Sequence, residues 1–274
     1  MPNYAVGHKI PDSDSICSAI ALSYFEERGF RLDIVKKFQL RVYIMKLKLI
    51  YFDQPFWRAE IARLSLYMSD IEFEDYRITS EDLSYLKENG ALSDGSAIPF
   101  RQLPVLVIEG QSIAQTGAIA RICGKISDMY PKDIIEAGKV DQVIDTVTDI
   151  NVLINPSMHE SDSVIKKQMR HDLSNDALPK YFGYLEEILK ANDSGWFVGN
   201  EMTVADIAVW SMLGWIAQGV LDDIPRDLPR PFERLTSLYN EISKMPKVQD
   251  WKRLTYAYDE PSTGEYNYHV PDTI

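Results

Sequence analysis

The sequence predicts an α/β unit followed by an all-helical unit. Three observations carry this reading. Residues 46–125 alternate β-rich runs with helical periods, the strand signal stops after Pro131, and the apolar runs beyond it recur at helical spacing. At 274 residues the chain also exceeds the ~100–200 residues of one ordinary domain.

The elements follow in order. Lys46–Phe52 (KLKLIYF) is rich in β-formers and is punctuated by Asp53-Gln-Pro55, as a strand entering a turn is. From Phe56 to Met68, Ile61, Leu64, Leu66 and Tyr67 recur near helical spacing. Ile71–Tyr76 alternates as a half-buried strand, Ser80–Glu88 is one short helix, and Asn89–Ala97 is a polar loop. Val105–Ile108 is a strand, Glu109-Gly110 a turn before a short strand at Ser112-Ile113, and Gln115–Gly124 a helix. The order β-α-β-α-β-β-α implies a mixed sheet with covering helices. Beyond Pro131, helices are expected over Ala137–Ile154, Ser163–Asn192, Val204–Gly219 and Leu235–Met245. Thr203-Val-Ala-Asp206 is a capping arrangement ahead of a helix with almost no polar face, which belongs at the centre of a bundle.

Composition narrows the function classes. The chain is 45% apolar and 26% charged with a formal charge of −12, a sign that disfavours a nucleic-acid binder held by phosphate contacts. Residues 1–45 hold six Lys/Arg and five Asp/Glu, which leaves −13 for the remaining 229 and marks a break near Arg41–Lys46. The boundaries read from these shifts are an extension over 1–45, an α/β domain over 46–127, a helical domain over 132–255 and an extended tail over 256–274. Cys17 and Cys123 cannot build a disulfide framework and suit a reducing compartment. No run reaches the ~18–20 apolar residues of a membrane span. Ile207–Leu221 falls short and is broken by Ser211, Gly214, Gln218 and Gly219. The N-terminus has no secretory pattern, so a cytoplasmic location is expected.

Several residues in 46–125 fall in an order that suggests a site. Tyr51 ends the first strand, where a phenol can project from the sheet, and a helix begins shortly after it. Pro104 stands at the mouth of a strand; a cis bond there would leave the Val105 N–H and C=O free for an extended peptide. Gln115-Thr116 opens a helix and, with the exposed amides, makes a carboxylate receptor. A phenol, a free strand edge and an anion pocket suit a small acidic thiol peptide.

The stretches Lys48–Asp53, Arg58–Arg63, Gln102–Leu106 and Ala114–Arg121, followed by Val140–Thr146 and Met202–Asp206, resemble the cytosolic glutathione S-transferases. The resemblance is nearest to the sigma-like, tyrosine-using group that includes the glutathione-dependent prostaglandin D synthases. It implies a thioredoxin-like domain followed by a helical domain, assembled as a homodimer. The implied reaction is attack of a glutathione thiolate on a small hydrophobic electrophile, with no tightly bound cofactor and no metal. In that family Tyr51 would match the tyrosine that donates to the glutathione sulfur. Gln102, Leu103 and Pro104 match the cis-proline segment, and Val105 would bond the cysteinyl part. Gln115 and Thr116 would receive the γ-glutamyl carboxylate, Lys87 the glycyl carboxylate, and Asp149 of the other subunit the γ-glutamyl amine. Arg58 is a further glutathione contact. Phe56, Trp57 and Met158 are expected to touch the electrophile between the domains. Leu83 stands where the family has a tryptophan, the loop from Tyr51 to Arg58 is one residue longer, and Asn89–Ala97 carries extra residues. An isomerase, a peroxidase or a non-catalytic glutathione-binding protein of the same fold are the alternatives.

Residues 5–29 separately resemble the opening of the DHH phosphoesterases, in particular the manganese-dependent inorganic pyrophosphatases, whose metal ligands match His8, Asp12 and Asp14. Three ligands without the others cannot hold a two-metal site, so this segment is read as an appended piece without that activity. Asp141 and Asp145, at i and i+4, read as a solvated acidic face. Cys123 and the tryptophans Trp196, Trp210, Trp215 and Trp251 read as packing residues. His159, His171 and His269 have no metal-ligand spacing.

Overall fold

A computed structural model describes residues 4–6 (backbone only), 45–56, 58–256 and 271–274. The chain divides into two units. One comprises 1–53 and 66–115, the other 54–65 and 116–274.

The first unit is built on a five-stranded sheet of order β1-β3-β2-β4-β5. Its strands are β1 (Tyr4–Val6), β2 (Leu47–Tyr51), β3 (Phe73–Arg77), β4 (Val105–Ile108) and β5 (Gln111–Ala114). β2 runs parallel to β3 and antiparallel to β4, and β4 is antiparallel to β5. The expected strands are therefore present, and β1 adds a fifth by pairing antiparallel with β3, Ala5 opposite Glu74. Ile50, Val105 and Val107 from the sheet pack with Leu86, Leu92 and Ile98 in one buried cluster. Helix α2 (Ser80–Asn89) starts on a reciprocal Thr79–Asp82 cap and stops at Gly90, whose φ of 71° suits a residue without a Cβ.

Helix α1 (Glu60–Met68) follows β2 in the chain. In the helical unit come α3 (Thr116–Ile126), α4 (Ile134–His159), α5 (Ser163–Asp172), α6 (Leu178–Lys190), α7 (Val204–Ala217), α8 (Glu233–Lys244) and α9 (Pro246–Thr255). The single helix expected over Ser163–Asn192 is divided by a π-helical turn at Leu173–Ala177. α9 lies beyond the expected helices. As its apolar sequence requires, every residue of α7 is buried. Its N-terminus is fixed by Asp206, which accepts from Thr203 N (2.7 Å), Thr203 Oγ1 (2.8 Å) and Phe197 N (2.8 Å). A Cβ at Gly214 would lie 2.3 Å from two ring carbons of Phe56, so only glycine leaves room for that ring. Phe56 sits 4.6 Å from the Trp210 ring. Glu60, 1% exposed, accepts from Trp251 Nε1 at 2.7 Å and Tyr256 Oη at 2.6 Å, a buried carboxylate supplied with donors.

The acidic pair and the tail have partners that the sequence did not show. Asp141 and Asp145 face solvent as read but are also ion-paired, because Arg121 bonds both at 2.7 Å and Tyr130 donates to Asp141 at 2.8 Å. In the tail, Pro271–Ile274 is hydrogen-bonded to α8 and α9. Cys123 and Trp210, Trp215 and Trp251 are buried as read. Burial pushes the Cys123 thiol up to about 12, which leaves it unreactive at neutral pH. His8, Asp12 and Asp14 lie outside the described residues. Among the described residues no helix is long and apolar enough to cross a membrane, and no group of three His, Cys, Asp or Glu is placed to hold a metal ion.

Candidate active site

The sheet register brings three of the expected site residues to one end of three neighbouring strands. Ile50 is opposite Val105, and Val105 is opposite Ala114. Tyr51, Pro104 and Gln115, each one residue further, therefore stand side by side at that end. With strands about 4.8 Å apart, the row spans roughly 10 Å, the length of about three extended residues. Tyr51 is 1% exposed, and its ring meets Phe52 edge-on at 5.2 Å. Its carbonyl accepts from Ile78 N at 2.9 Å, tying the end of β2 to the end of β3. Two residues later, Asp53 bonds Arg77, which also grips buried Asp75 at 2.9 Å. Arg77 was not legible as a site neighbour, because only the parallel register sets it opposite Tyr51.

The Leu103–Pro104 bond is cis, as expected. The consequence for Val105 differs from the expectation. Val105 is fully buried and in register with strands on both sides, so the ladder takes its N–H and C=O. Leu103, before the cis bond and outside any strand, makes no backbone–backbone hydrogen bond among the described residues. Gln102 is exposed and follows the turn Pro99–Arg101. Arg101 reaches back from that turn to the carbonyls of Lys87 and of Glu88 (2.8 Å), which sets Gln102 beside the end of α2 that carries Lys87. The longer loop is held to the sheet by Lys48, 2.5 Å from Asp94 and 4.0 Å above the Tyr76 ring. Burial pushes Asp94 upward, yet its bonds to Lys48 and Ser96 outweigh that and lower its pKa.

Gln115 is exposed with φ 77°, and the left-handed turn delivers the chain to the N-terminus of α3 at half-buried Thr116. Several neutral donors and the positive end of an eleven-residue helix thus follow one another, an arrangement suited to a carboxylate. Within the helical unit, Phe56 and Arg58 line a narrow crevice with Ile61, Asn151, Met212 and Trp215. Phe56 is mainly a core residue, 2% exposed. Met158 is half-buried on α4 and is not part of that crevice, and Asp149 is exposed on the same helix. Trp57 lies outside the described residues.

A βαβαββα unit with a cis-proline at the head of β4, continued by an all-α unit, defines the glutathione-transferase class of fold. The family described as glutathione S-transferase, N-terminal domain, matches residues 47–121, and glutathione S-transferase, C-terminal domain, matches 148–253. Glutathione S-transferase 3 of Caenorhabditis elegans is 32% identical over 209 residues, covering 74% of this chain and 94% of that protein. Hematopoietic prostaglandin D synthase of Mus musculus is 32% identical over 208 residues with the same two coverages. The solved prostaglandin synthase D of Nilaparvata lugens superposes with a TM-score of 0.67 at 27% identity, covering 79% of this chain and 99% of that one. The chain belongs to the glutathione S-transferase family. The phosphoesterase resemblance of residues 5–29 finds no support, because both family matches begin at or after residue 47.

Proposed function

We propose that the chain transfers glutathione to small hydrophobic electrophiles, with Tyr51 donating a hydrogen bond that favours the thiolate. The observation that carries this reading is the row of Tyr51, Leu103–Pro104 and Gln115 at one end of the sheet, where a tripeptide fits lengthwise. The Leu103 backbone bonds the cysteinyl residue, in place of Val105. Gln115, Thr116 and the amides of α3 receive the γ-glutamyl carboxylate, Gln102 adds a polar contact beside the cysteinyl residue, and Lys87 takes the glycyl carboxylate. Arg58 is a further glutathione contact, and Trp57 and Met158 belong to the electrophile side, whereas Phe56, 2% exposed, backs that side from the core. Glutathione is a co-substrate here, and no tightly bound cofactor is part of the mechanism. The chain works in the cytoplasm.

The purified chain is expected to bind immobilised glutathione and to consume glutathione with a panel of activated aryl halides and enals. Gln115→Ala should raise KM for glutathione at least tenfold with kcat little changed, since it removes a contact held equally in ground and transition states. Binding with no turnover across the panel would replace this reading with that of a non-catalytic binding protein. The prostaglandin D synthase relative favours a glutathione-dependent isomerase as the second reading.

A homodimer completes the proposal, with Asp149 of one subunit reaching the other's glutathione amine. Phe100, 73% exposed at φ 59°, is held outward by a turn with two successive left-handed non-glycine residues. An exposed aromatic fixed at that cost suits a contact between subunits. Phe100→Ser should raise the dimer dissociation constant at least tenfold by sedimentation velocity. An unchanged constant would remove Phe100 from the interface.

A further inference from the structure

The last four residues, Pro271–Ile274, are seated on the helical unit by contacts from two helices. Tyr239 Oη on α8 donates to the Pro271 carbonyl at 2.7 Å. Lys252 Nζ on α9 donates to the same carbonyl at 3.3 Å and to the Asp272 carboxylate. Gln249 adds a bond to Asp272 at 3.2 Å, and Ile274 N donates to Asn240 Oδ1 at 3.1 Å. Lys252 is 1% exposed and Tyr239 is fully buried.

A buried ammonium is costly unless oxygen atoms surround it. Among the described residues, both acceptors of Lys252 Nζ come from the tail, and α8 and α9 supply none. That 1% exposure belongs to the chain with the tail seated, so the tail both covers the ammonium and supplies its oxygen acceptors. The recognition is specific in kind. It reads one backbone carbonyl, the carboxylate on the next residue and an N–H two residues further on.

We infer that α8 and α9 form a binding site for a short peptide carrying a carboxylate, and that its ligand is the chain's own segment Pro271–Ile274. The site is independent of the proposed glutathione chemistry. Within the helical unit the Tyr239 ring stacks 5.9 Å from Trp210 and lies 6.3 Å from Phe56.

The test frees the site in the 274-residue chain and offers the ligand separately. Asp272→Lys sets a like charge against Lys252 and releases the tail. A fluorescein-labelled peptide of residues 268–274 (YHVPDTI) is then titrated by anisotropy. Saturable binding to the Asp272→Lys chain is expected, at least tenfold weaker binding to the unaltered chain, whose own tail competes, and none once Lys252→Met is added. The same peptide with Ala for Asp should bind at least tenfold more weakly. No saturable binding to the Asp272→Lys chain, or binding indifferent to Lys252→Met, overturns the inference. Should Asp272→Lys fail to fold, carboxypeptidase release of Ile274 decides: at least tenfold faster from Lys252→Met than from the unaltered chain supports the site, and equal rates reject it.

Discussion

Tyr51→Phe is expected to lower the conjugation rate at least tenfold while glutathione affinity stays within about threefold. A free thiol with a pKa of ~8.5 is about 3% thiolate at pH 7. Lowering that pKa by ~2 units, equivalent to about 2.7 kcal/mol, makes roughly three-quarters of the bound thiol reactive. A hydrogen bond to the charged sulfur does this because it favours the thiolate over the thiol. The ring of Tyr51 is buried at the end of β2, so a bond from its hydroxyl would act in surroundings of low dielectric, where it is stronger than in water. Loss of the hydroxyl should therefore appear as a rise of about 2 units in the pH at which thiolate absorbance of the complex develops, with little change in the binding isotherm. An unaltered rate and an unaltered thiolate titration would exclude Tyr51 from the chemistry and leave the family assignment untouched.

The second large effect concerns folding. Asp206→Asn should destabilise the helical unit by about 3 kcal/mol at pH 7, because an amide set against two N–H groups and a hydroxyl leaves buried donors unmatched. Burial raises the Asp206 carboxyl to about 6 from an ordinary 3.8, against the opposing pull of its hydrogen bonds to Phe197 and Thr203. An acid whose native pKa lies above its unfolded value holds its proton more tightly when folded. Its stabilising contribution is therefore full below pH 3.8 and is lost as pH rises through about 6. The gap in urea midpoint between the unaltered chain and Asp206→Asn should accordingly be wider at pH 4.5 than at pH 7. A gap that widens with pH would contradict the proposed ionisation of this cap.

Much of this architecture is legible in the sequence because local rules and tertiary packing agree. The order of elements over 46–125 follows from punctuation such as Asp53-Gln-Pro55 and Glu109-Gly110, which ends strands where they end in the structure. Thr203 and Asp206 announce α7 because a reciprocal cap needs only two residues three apart. What failed was long-range. α9 shows only Val248 and Trp251 as apolar core positions, and its third buried residue is Lys252, whose partners lie some twenty residues away. The spacing of Asp141 and Asp145 was plain, whereas Arg121, on another helix, is what makes them an ion-pair site. Within the candidate site, residue types pointed to strand ends that the register sets side by side. Whether Leu103 or Val105 keeps its backbone out of the ladder depends on register, which composition does not encode.

The pairing of Tyr4–Val6 with β3 gives the sheet's outer rim a covering that comes from the far side of a forty-residue span. The two matched family segments start only at residue 47 or later, so they contain no such strand. A polypeptide trimmed to that length would keep the proposed site residues Tyr51, Pro104 and Gln115 and leave β3 as the outer strand. Such a flank is a template for adhesion between molecules. With Tyr4–Val6 in place the outer rim is a three-residue strand where the five-residue β3 would otherwise stand, and a shorter rim is a poorer template.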